Sequence, residues 1–441
     1  MLSSTSQAPL KSAAVAPVIS HSLSESAPLH ANQPEPDVFI SGGGPAGLAC
    51  AIACALKGLS VEVADGMAPP IDKACGEGLM PDTIAALTTL GVDLSSAESV
   101  PFRGIRFLGI DRAGNPVSTQ AIFSQPGTEP RTEPGPESEP GVRGLGMRRP
   151  LLHQLLLDRA TELGVRFSWQ TAVQAIQTQG IQRQGIRPGQ GTARSIVRTN
   201  RHTVRPRYII GADGHRSRIR AWAGLDRASI SARRIGLRQH FTLNPLTDVQ
   251  SDLVEVYWSN SGQAYVTPIS PTEICVAFVA RKKFPSVQHA LNQFPQLQQS
   301  LQSATPSNTP RGAVTFSRKL HRVTRGNVAL IGDASGSVDA VTGEGLGLCF
   351  RQAIALGEAL CTGDLAHYQR EHTRLRRMPH FMAQTMLLLD QSSQLRTRAL
   401  KALERRPQIF QQLLRVHIGH APVTLFGSTG LLAAGVRILA G

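Results

Sequence analysis

The chain is short of three things, and each shortage removes a class of protein. Its six cysteines, Cys50, Cys54, Cys75, Cys275, Cys349 and Cys361, show no paired metal-ligand spacing, and Cys50 and Cys54 stand one helical turn apart. No zinc module is indicated, and free thiols in a reducing, cytoplasmic compartment are the simpler reading. Long apolar runs are also missing. Residues 1–36 are rich in Ser, Ala and Pro and lack a basic stretch followed by a solid apolar core, so they read as a disordered leader rather than a signal peptide. The apolar run 421–441 is interrupted by Gly427, Ser428, Gly430, Gly435 and Arg437, which predicts a packed helix or a contact with a membrane surface instead of a span. Acids are the third shortage, 31 against 46 Lys and Arg, for a net charge of +15. Ten arginines lie between Arg183 and Arg220 against the single acid Asp213. No helix-turn-helix, finger or aromatic-stacking motif accompanies them, so nucleic acid is not the expected partner; the charge suits anionic cofactors, anionic substrates or lipid headgroups.

What the chain does have is glycine in telling places. With 441 residues, 41% of them hydrophobic, it can bury a large core over two or three domains. The apolar run Val38-Phe39-Ile40 leads into Ser41-Gly42-Gly43-Gly44-Pro45-Ala46-Gly47 and then a small-residue helix to Leu56. On such a strand-to-helix turn Gly42 permits the tight bend, Gly44 lets the backbone approach a pyrophosphate, and Gly47 lets helix pack on strand. Pro45 and Ala46 stand in the first helical turn, whose free N–H groups hold the phosphates. A second strand, Val61 to Ala64, ends in Asp65, placed to accept bonds from a ribose diol. Downstream, Tyr208-Ile209-Ile210-Gly211-Ala212-Asp213-Gly214 reads as a buried strand, a sharp turn and a helix from Ser217. Leu330-Ile331-Gly332-Asp333 and Asp339 to Gly347 read as another strand, a turn and a long helix through Leu360. There Asp333 can accept from a ribityl chain, while Gly343 and Gly345 offer N–H donors to negative charge on the pyrimidine edge of a flavin.

Between these motifs the pattern changes. Residues 125–142 and 182–201 are polar and Gly, Pro, Gln or Arg rich, the first a disordered insert and the second a long hairpin end. Alternating runs at 236–241, 254–258, 264–268 and 274–279 predict antiparallel hairpins, with 102–110 and 116–123 as candidates for the same sheet. Phe241, Tyr257, Trp258 and Tyr265 either line a pocket there or pack a core; alternation allows about half of them to face it.

Taken together these motifs resemble the FAD-dependent enzymes of the para-hydroxybenzoate hydroxylase fold, which include aromatic monooxygenases and the geranylgeranyl reductase group. The resemblance spans about residues 37–360. Gly42, Gly44 and Gly47 match its first motif, Gly211-Ala212-Asp213-Gly214 with Ser217 and Arg220 its middle one, Gly332 and Asp333 its last; Arg149 matches an arginine that sits by the flavin. It implies an α/β chain: a Rossmann-like FAD domain from 37–97, 143–225 and 316–360, an inserted antiparallel-sheet substrate domain from 98–124 and 226–315, and a helical region over 361–441. It also implies NAD(P)H as a visiting electron donor, with Arg216, Arg218 and Arg220 as phosphate partners or else as a solvated helix face. The reaction implied is hydroxylation of an aromatic or polyketide-like small molecule through a flavin C4a-hydroperoxide. A second expectation is reduction of a carbon–carbon double bond, since Lys73-Ala74-Cys75-Gly76-Glu77-Gly78-Leu79 and Val338 to Gly345 are closer to the reductase branch; Cys75 or Glu77 would then give the proton. Against it, only Tyr265-Val266-Thr267-Pro268 stands where that branch carries its aromatic tunnel segment. A third expectation is a flavin electron carrier. Cys75 reads more simply as a small buried thiol, and His215 as a surface or helix-start residue.

Overall fold

The structure is a computed structural model that describes residues 34–125, 141–178, 194–245 and 250–421. Most of the leader, the 125–142 insert, part of the 182–201 insert and the run after Ala421 lie outside the described residues.

A parallel sheet forms where sequence runs are apolar on both faces. Its order is Thr324–Arg325, Val328–Leu330, Tyr208–Gly211, Val38–Ser41, Val61–Asp65 and Arg166–Trp169, with only the Thr324–Arg325 edge antiparallel. The strand Val38–Ser41 is central, pairing Ile40 with Val63 on one side and Ile210 on the other. The turns after Ser41, Gly211 and Leu330 therefore leave the same end of three neighbouring parallel strands, the crevice where open α/β sheets take ligands. The helix Pro45–Ala55 follows with almost no side chain larger than Cys, and nine of its residues are buried. Small residues let it lie flush against the helix Gly345–Thr362, where a Cβ on Gly357 would stand 3.0 Å from the Ala53 backbone. So the first and last glycine motifs, far apart in sequence, share one packed helix pair.

The second layer is an eight-stranded sheet in which Ala228–Thr242 is the long member, flanked by Glu273–Ala280 and Arg311–Leu320. The expected strands Gly104–Ile110 and Pro116–Ile122 do join it, but Gly104–Ile110 pairs parallel to Val254–Trp258, with Val254 opposite Ile105, so the sheet is not wholly antiparallel. The chain arrives there from the cofactor side, and a crossover sets the direction. The boundary expected at 315–316 also needs moving, because it falls inside the strand Arg311–Leu320. One sheet face is apolar: Phe241, Tyr257, Val276 and Phe278 pack on the short helices Val287–Leu291 and Pro295–Ser300. The opposite face carries Arg238, His240, Gln263, Tyr265 and Cys275, and turns toward the parallel sheet and the helices Leu365–Gln391, Ser393–Arg405 and Pro407–His417. Trp258 packs among Leu400, Phe410 and Leu414 on those helices. Of the four sheet aromatics, Phe241, Tyr257 and Trp258 are core packing, which leaves Tyr265 at the junction.

Candidate functional site

The dinucleotide turn is built from backbone. Gly42 sits at φ +114°, and a Cβ there would lie 2.4 Å from the Ala212 carbonyl oxygen; one on Gly47 would lie 1.8 Å from that of Gly42. Gly44 is different. It ends the strand turn and precedes a helix with no side-chain cap, and no atom stands within 4 Å of the place its Cβ would fill. Strained, crowded glycines around one glycine that faces open space fit a pyrophosphate laid on the helix N-terminus. Asp65 locks this turn: one carboxylate oxygen accepts from Gly43 N–H at 2.7 Å and the other from Met67 N–H at 2.8 Å. A carboxylate has about four acceptor positions, so two remain for a ribose diol. Gly42, Gly44, Asp65, Asp213 and Arg218 line one cleft of about 260 Å³. Sequence reasoning missed two neighbours, both without a motif signature. Buried His153 bonds through Nε2 to the Gly43 carbonyl at 2.9 Å, burial lowering its pKa, and the Trp169 ring closes on Gly43 so tightly that a Cβ would touch it at 2.3 Å.

The middle motif turns out to be a joint. Asp213 accepts from Arg218 N–H and Ile219 N–H at 2.7 and 3.1 Å, and the Ser217 hydroxyl accepts from Arg220 N–H, so both cap the helix Arg218–Trp222. Gly214 holds the left-handed turn between them. Arg220 is buried and spent: it donates to Asp226, to the Ala334 carbonyl at 3.1 Å and to the His215 carbonyl at 3.0 Å. This removes Arg220 from the expected phosphate partners and makes it the tie between middle and last motifs. Arg218 lies over the Trp222 ring at 4.6 Å, while Arg216 is exposed. Lys73, Arg216, Arg318 and Asp333 all lie close enough to bias His215, whose pKa is lowered chiefly by burial.

In the last motif Gly332 takes φ +57° and meets the first helix, a Cβ there lying 2.7 Å from Ala46. Asp333 stays exposed. Gly343 is left-handed at φ +68°, and the Cβ positions of Gly343 and Gly345 meet nothing within 4 Å, an open cradle at the start of an eighteen-residue helix. Buried polar groups fix this cradle from outside. Tyr265 donates its hydroxyl to the Val341 carbonyl at 2.5 Å, Asp339 accepts from Val341 N–H, and Arg234 lies 3.4 Å from Asp339 and 2.8 Å from Asp390. Burial pushes Asp339 up, opposed by Arg234. Next to the cradle Glu344 is buried 3.5 Å from His417; desolvation and the charge of Asp82 push the carboxyl up to about 8, and burial lowers the imidazole to about 4.

The loop 73–79 carries the densest cluster. Glu77, 2% exposed and held at φ +60°, accepts from Arg149 N–H at 3.0 Å, from Arg238 Nη1 at 2.7 Å and pairs with His240 Nε2 at 2.6 Å. Arg238, 1% exposed, also forks onto both oxygens of Asp72 at 3.3 and 3.1 Å. Cys275 completes the group, its thiol 3.6 Å from the Cys75 carbonyl and pushed up by burial. Glu77, His240 and Cys275 place ligand atoms within 4.8 Å of one another, yet the Arg238 guanidinium already supplies the positive charge a cation would bring. Glu77 thus pins the loop 73–79 and the start of the helix Arg149–Glu162 to the second sheet, and its oxygens are committed to that role. Cys75 is half-buried, its sulfur accepting from Glu77 N–H at 3.5 Å. Arg149 leaves a buried Nε without a protein partner, as a ligand-facing guanidinium would. The signal for Arg238 and His240 was present: two basic side chains two apart on a strand must share a face.

Several known proteins are similar to this chain. A menaquinone reductase of Mycobacterium tuberculosis is 42% identical over 73 residues, 17% of this chain and 18% of the reductase's own length. A digeranylgeranylglycerophospholipid reductase of Methanosarcina mazei is 25% identical over 322 residues, covering 70% of this chain and 71% of that one. A flavoprotein/dehydrogenase from Cytophaga hutchinsonii superposes with a TM-score of 0.70 at 16% identity, over 87% of this chain and 93% of its own. No helix among the described residues is long and apolar enough to cross a membrane. Residues 35–363, from the first strand to the end of the helix behind the last glycine motif, match the FAD binding domain model, and the chain belongs to that family.

Proposed function

We propose that the protein is an FAD-dependent oxidoreductase that works as an NAD(P)H-dependent monooxygenase on an aromatic or polyketide-like small molecule. The observation that carries the choice of reaction is Tyr265. It stands at the place where the double-bond reductases have their aromatic tunnel segment, and here it is half-buried with its hydroxyl donated to the Val341 carbonyl at 2.5 Å, serving as a strut of the cradle and not as a tunnel wall. Bound FAD supplies the chemistry, accepting hydride from a nicotinamide and activating oxygen.

The chain's own residues bind and polarise. Gly44 and the N-terminus of the helix it opens hold the pyrophosphate, with Asp65 on the ribose, Asp333 on the ribityl chain and Asp213 and Gly214 shaping the wall between them. Arg149 stands by the ring system, and the N–H groups of Gly343 and Gly345 stabilise negative charge on its pyrimidine edge. Lys73, Arg216 and Arg218 are the cations at the mouth that receive nicotinamide-cofactor phosphates. The substrate lies between the ring and the polar sheet face bearing Thr267 and His240, shielded from water by the loop that Glu77 anchors. On this reading the cofactor domain is 37–97, 143–225 and the chain from about 321 to 360.

A second reading, double-bond reduction with Cys75 as proton donor, is favoured by the half-exposed thiol on the flavin-side loop and by the long match to the Methanosarcina mazei reductase. Oxygen use separates the two. With NADPH or NADH and a panel of phenols under ¹⁸O₂, the monooxygenase consumes oxygen only with substrate and places one labelled oxygen in the product. Product formed equally well without oxygen makes it a reductase, and no substrate-stimulated NAD(P)H oxidation at all leaves an electron carrier.

A further inference from the structure

The long helix Leu365–Gln391 has two faces with different business. Its inner face packs Ala383 and Leu387 onto Val341, so it backs the flavin cradle. Its outer face places Arg370, Arg374, Arg377, Phe381, Gln384 and Leu388 along one stripe, at spacings of three, four and seven residues, all exposed. Phe381 is 39% and Leu388 52% exposed, two of the seven large apolar side chains exposed among the described residues. Half-buried Met378 and Met382 widen the patch.

Charge brackets it at both ends. Arg377 lies one turn before Phe381, and the exposed Lys282 and Lys283 follow Arg281, which donates to the Asp390 carbonyl at 3.1 Å just beyond Leu388. Residues 375–389 contain no acid. We infer that this face docks on a bilayer containing anionic lipid, the apolar side chains entering the headgroup layer and the flanking cations meeting lipid phosphates. A second copy of the chain is the poorer occupant. Pairing the stripe with itself, in either direction, sets Arg377 against Arg377 or against Lys282 and Lys283, and like charges across a contact repel. A docked helix holds the cradle about one helix diameter, ~10 Å, beneath the headgroups. The inference rests on no particular reaction.

The test uses the full-length flavoprotein and sedimentation with vesicles of phosphatidylcholine alone or of a roughly 3:1 mixture with phosphatidylglycerol. Wild type is expected to bind the anionic vesicles, not the neutral ones, and to be released by about 0.5 M NaCl. Phe381→Ser with Leu388→Ser should weaken partitioning about tenfold or more with FAD content unchanged. Lys282→Gln with Lys283→Gln, which leaves the helix untouched, should weaken it about fivefold for each charge removed. Equal binding by both variants, equal binding to neutral vesicles, or no binding to anionic ones overturns the proposal. So does a wild-type dimer in solution that the Phe381→Ser, Leu388→Ser variant loses, since that identifies a second copy as the occupant.

Discussion

The two halves of the cofactor site are made of different material. Around the dinucleotide turn the work is done by backbone: left-handed or crowded glycines, a helix N-terminus, and one carboxylate gripping N–H groups. Between the Gly343 turn and the second sheet it is done by buried charge, in two clusters that join Glu77 to Arg238 and His240, and Asp339 to Arg234 and Asp390. The first half is held by geometry that a single chain segment can impose. The second is held by pairs more than a hundred residues apart, and in them a lost partner costs far more than the pair itself stabilises. Removing single groups should therefore hurt the protein in opposite ways in the two halves.

The largest effect on stability is expected at Arg238. Arg238→Ala leaves Glu77 buried with no guanidinium, while Asp72 keeps Arg311 at 2.8 Å, and should cost about 3–5 kcal/mol in urea unfolding. Glu77→Ala should cost a similar amount, and the double variant clearly less than the sum, because the second change removes a charge that the first had orphaned. Additive costs would show that the two groups do not form one cluster and would break the comparison.

A smaller effect, with a definite pH signature, is expected at Glu344. Its folded pKa, about 8, lies above the ordinary 4.5, so between those values the native state holds a proton that the unfolded chain has released. Stability from this group is then complete below about pH 4.5, falls as pH rises, and levels off above about 8. Glu344→Gln keeps the shape and removes the titration, so the variant should gain on the order of 2 kcal/mol over wild type at pH 9 and little at pH 4.5. His417 works in the acid window with the opposite slope: held at about 4, its imidazole favours the native state as pH rises toward 6.5. A Glu344→Gln advantage that is the same at both pH values would mean that the carboxyl is ionised and partnered in the folded protein.

This contrast also explains what could be read from the sequence. The strand, glycines, helix and terminal acid from Val38 to Asp65 lie within thirty residues, and their order states their geometry. The open α/β arrangement with an inserted sheet followed from the same local signals. Arg220 was misassigned because a motif shows that an arginine is present, not that Ala334, distant in sequence, claims its protons. In sequence Glu77 reads as a candidate proton donor, but its commitment to Arg238 and His240 is a fact of sheet register. His153 gave no signal at all: one histidine in an amphipathic helix looks like any other until the fold brings it under Gly43.

The smallest effect on the fold, and the sharpest test of the backbone half, is expected at Gly44. Unlike Gly42 and Gly47, its Cβ position meets nothing within 4 Å, and its φ of −74° suits any residue. Gly44→Ala should therefore leave the cofactor-free protein within about 0.5 kcal/mol of wild type. The added methyl would occupy the space proposed for the pyrophosphate, so FAD affinity should fall about a hundredfold or more, a loss of roughly 3 kcal/mol read by fluorescence titration. Asp333→Ala is a companion: the carboxylate is exposed, and on the proposal that it receives the ribityl chain its loss should weaken FAD binding without unfolding the protein. Glycine at 47 gives the opposite pattern: a Cβ pressed to 1.8 Å from the Gly42 carbonyl must move the helix, so stability and FAD fall together. If Gly44→Ala binds FAD as wild type does, the pyrophosphate does not lie on this turn, and the cofactor half of the site needs a different occupant for its helix N-terminus.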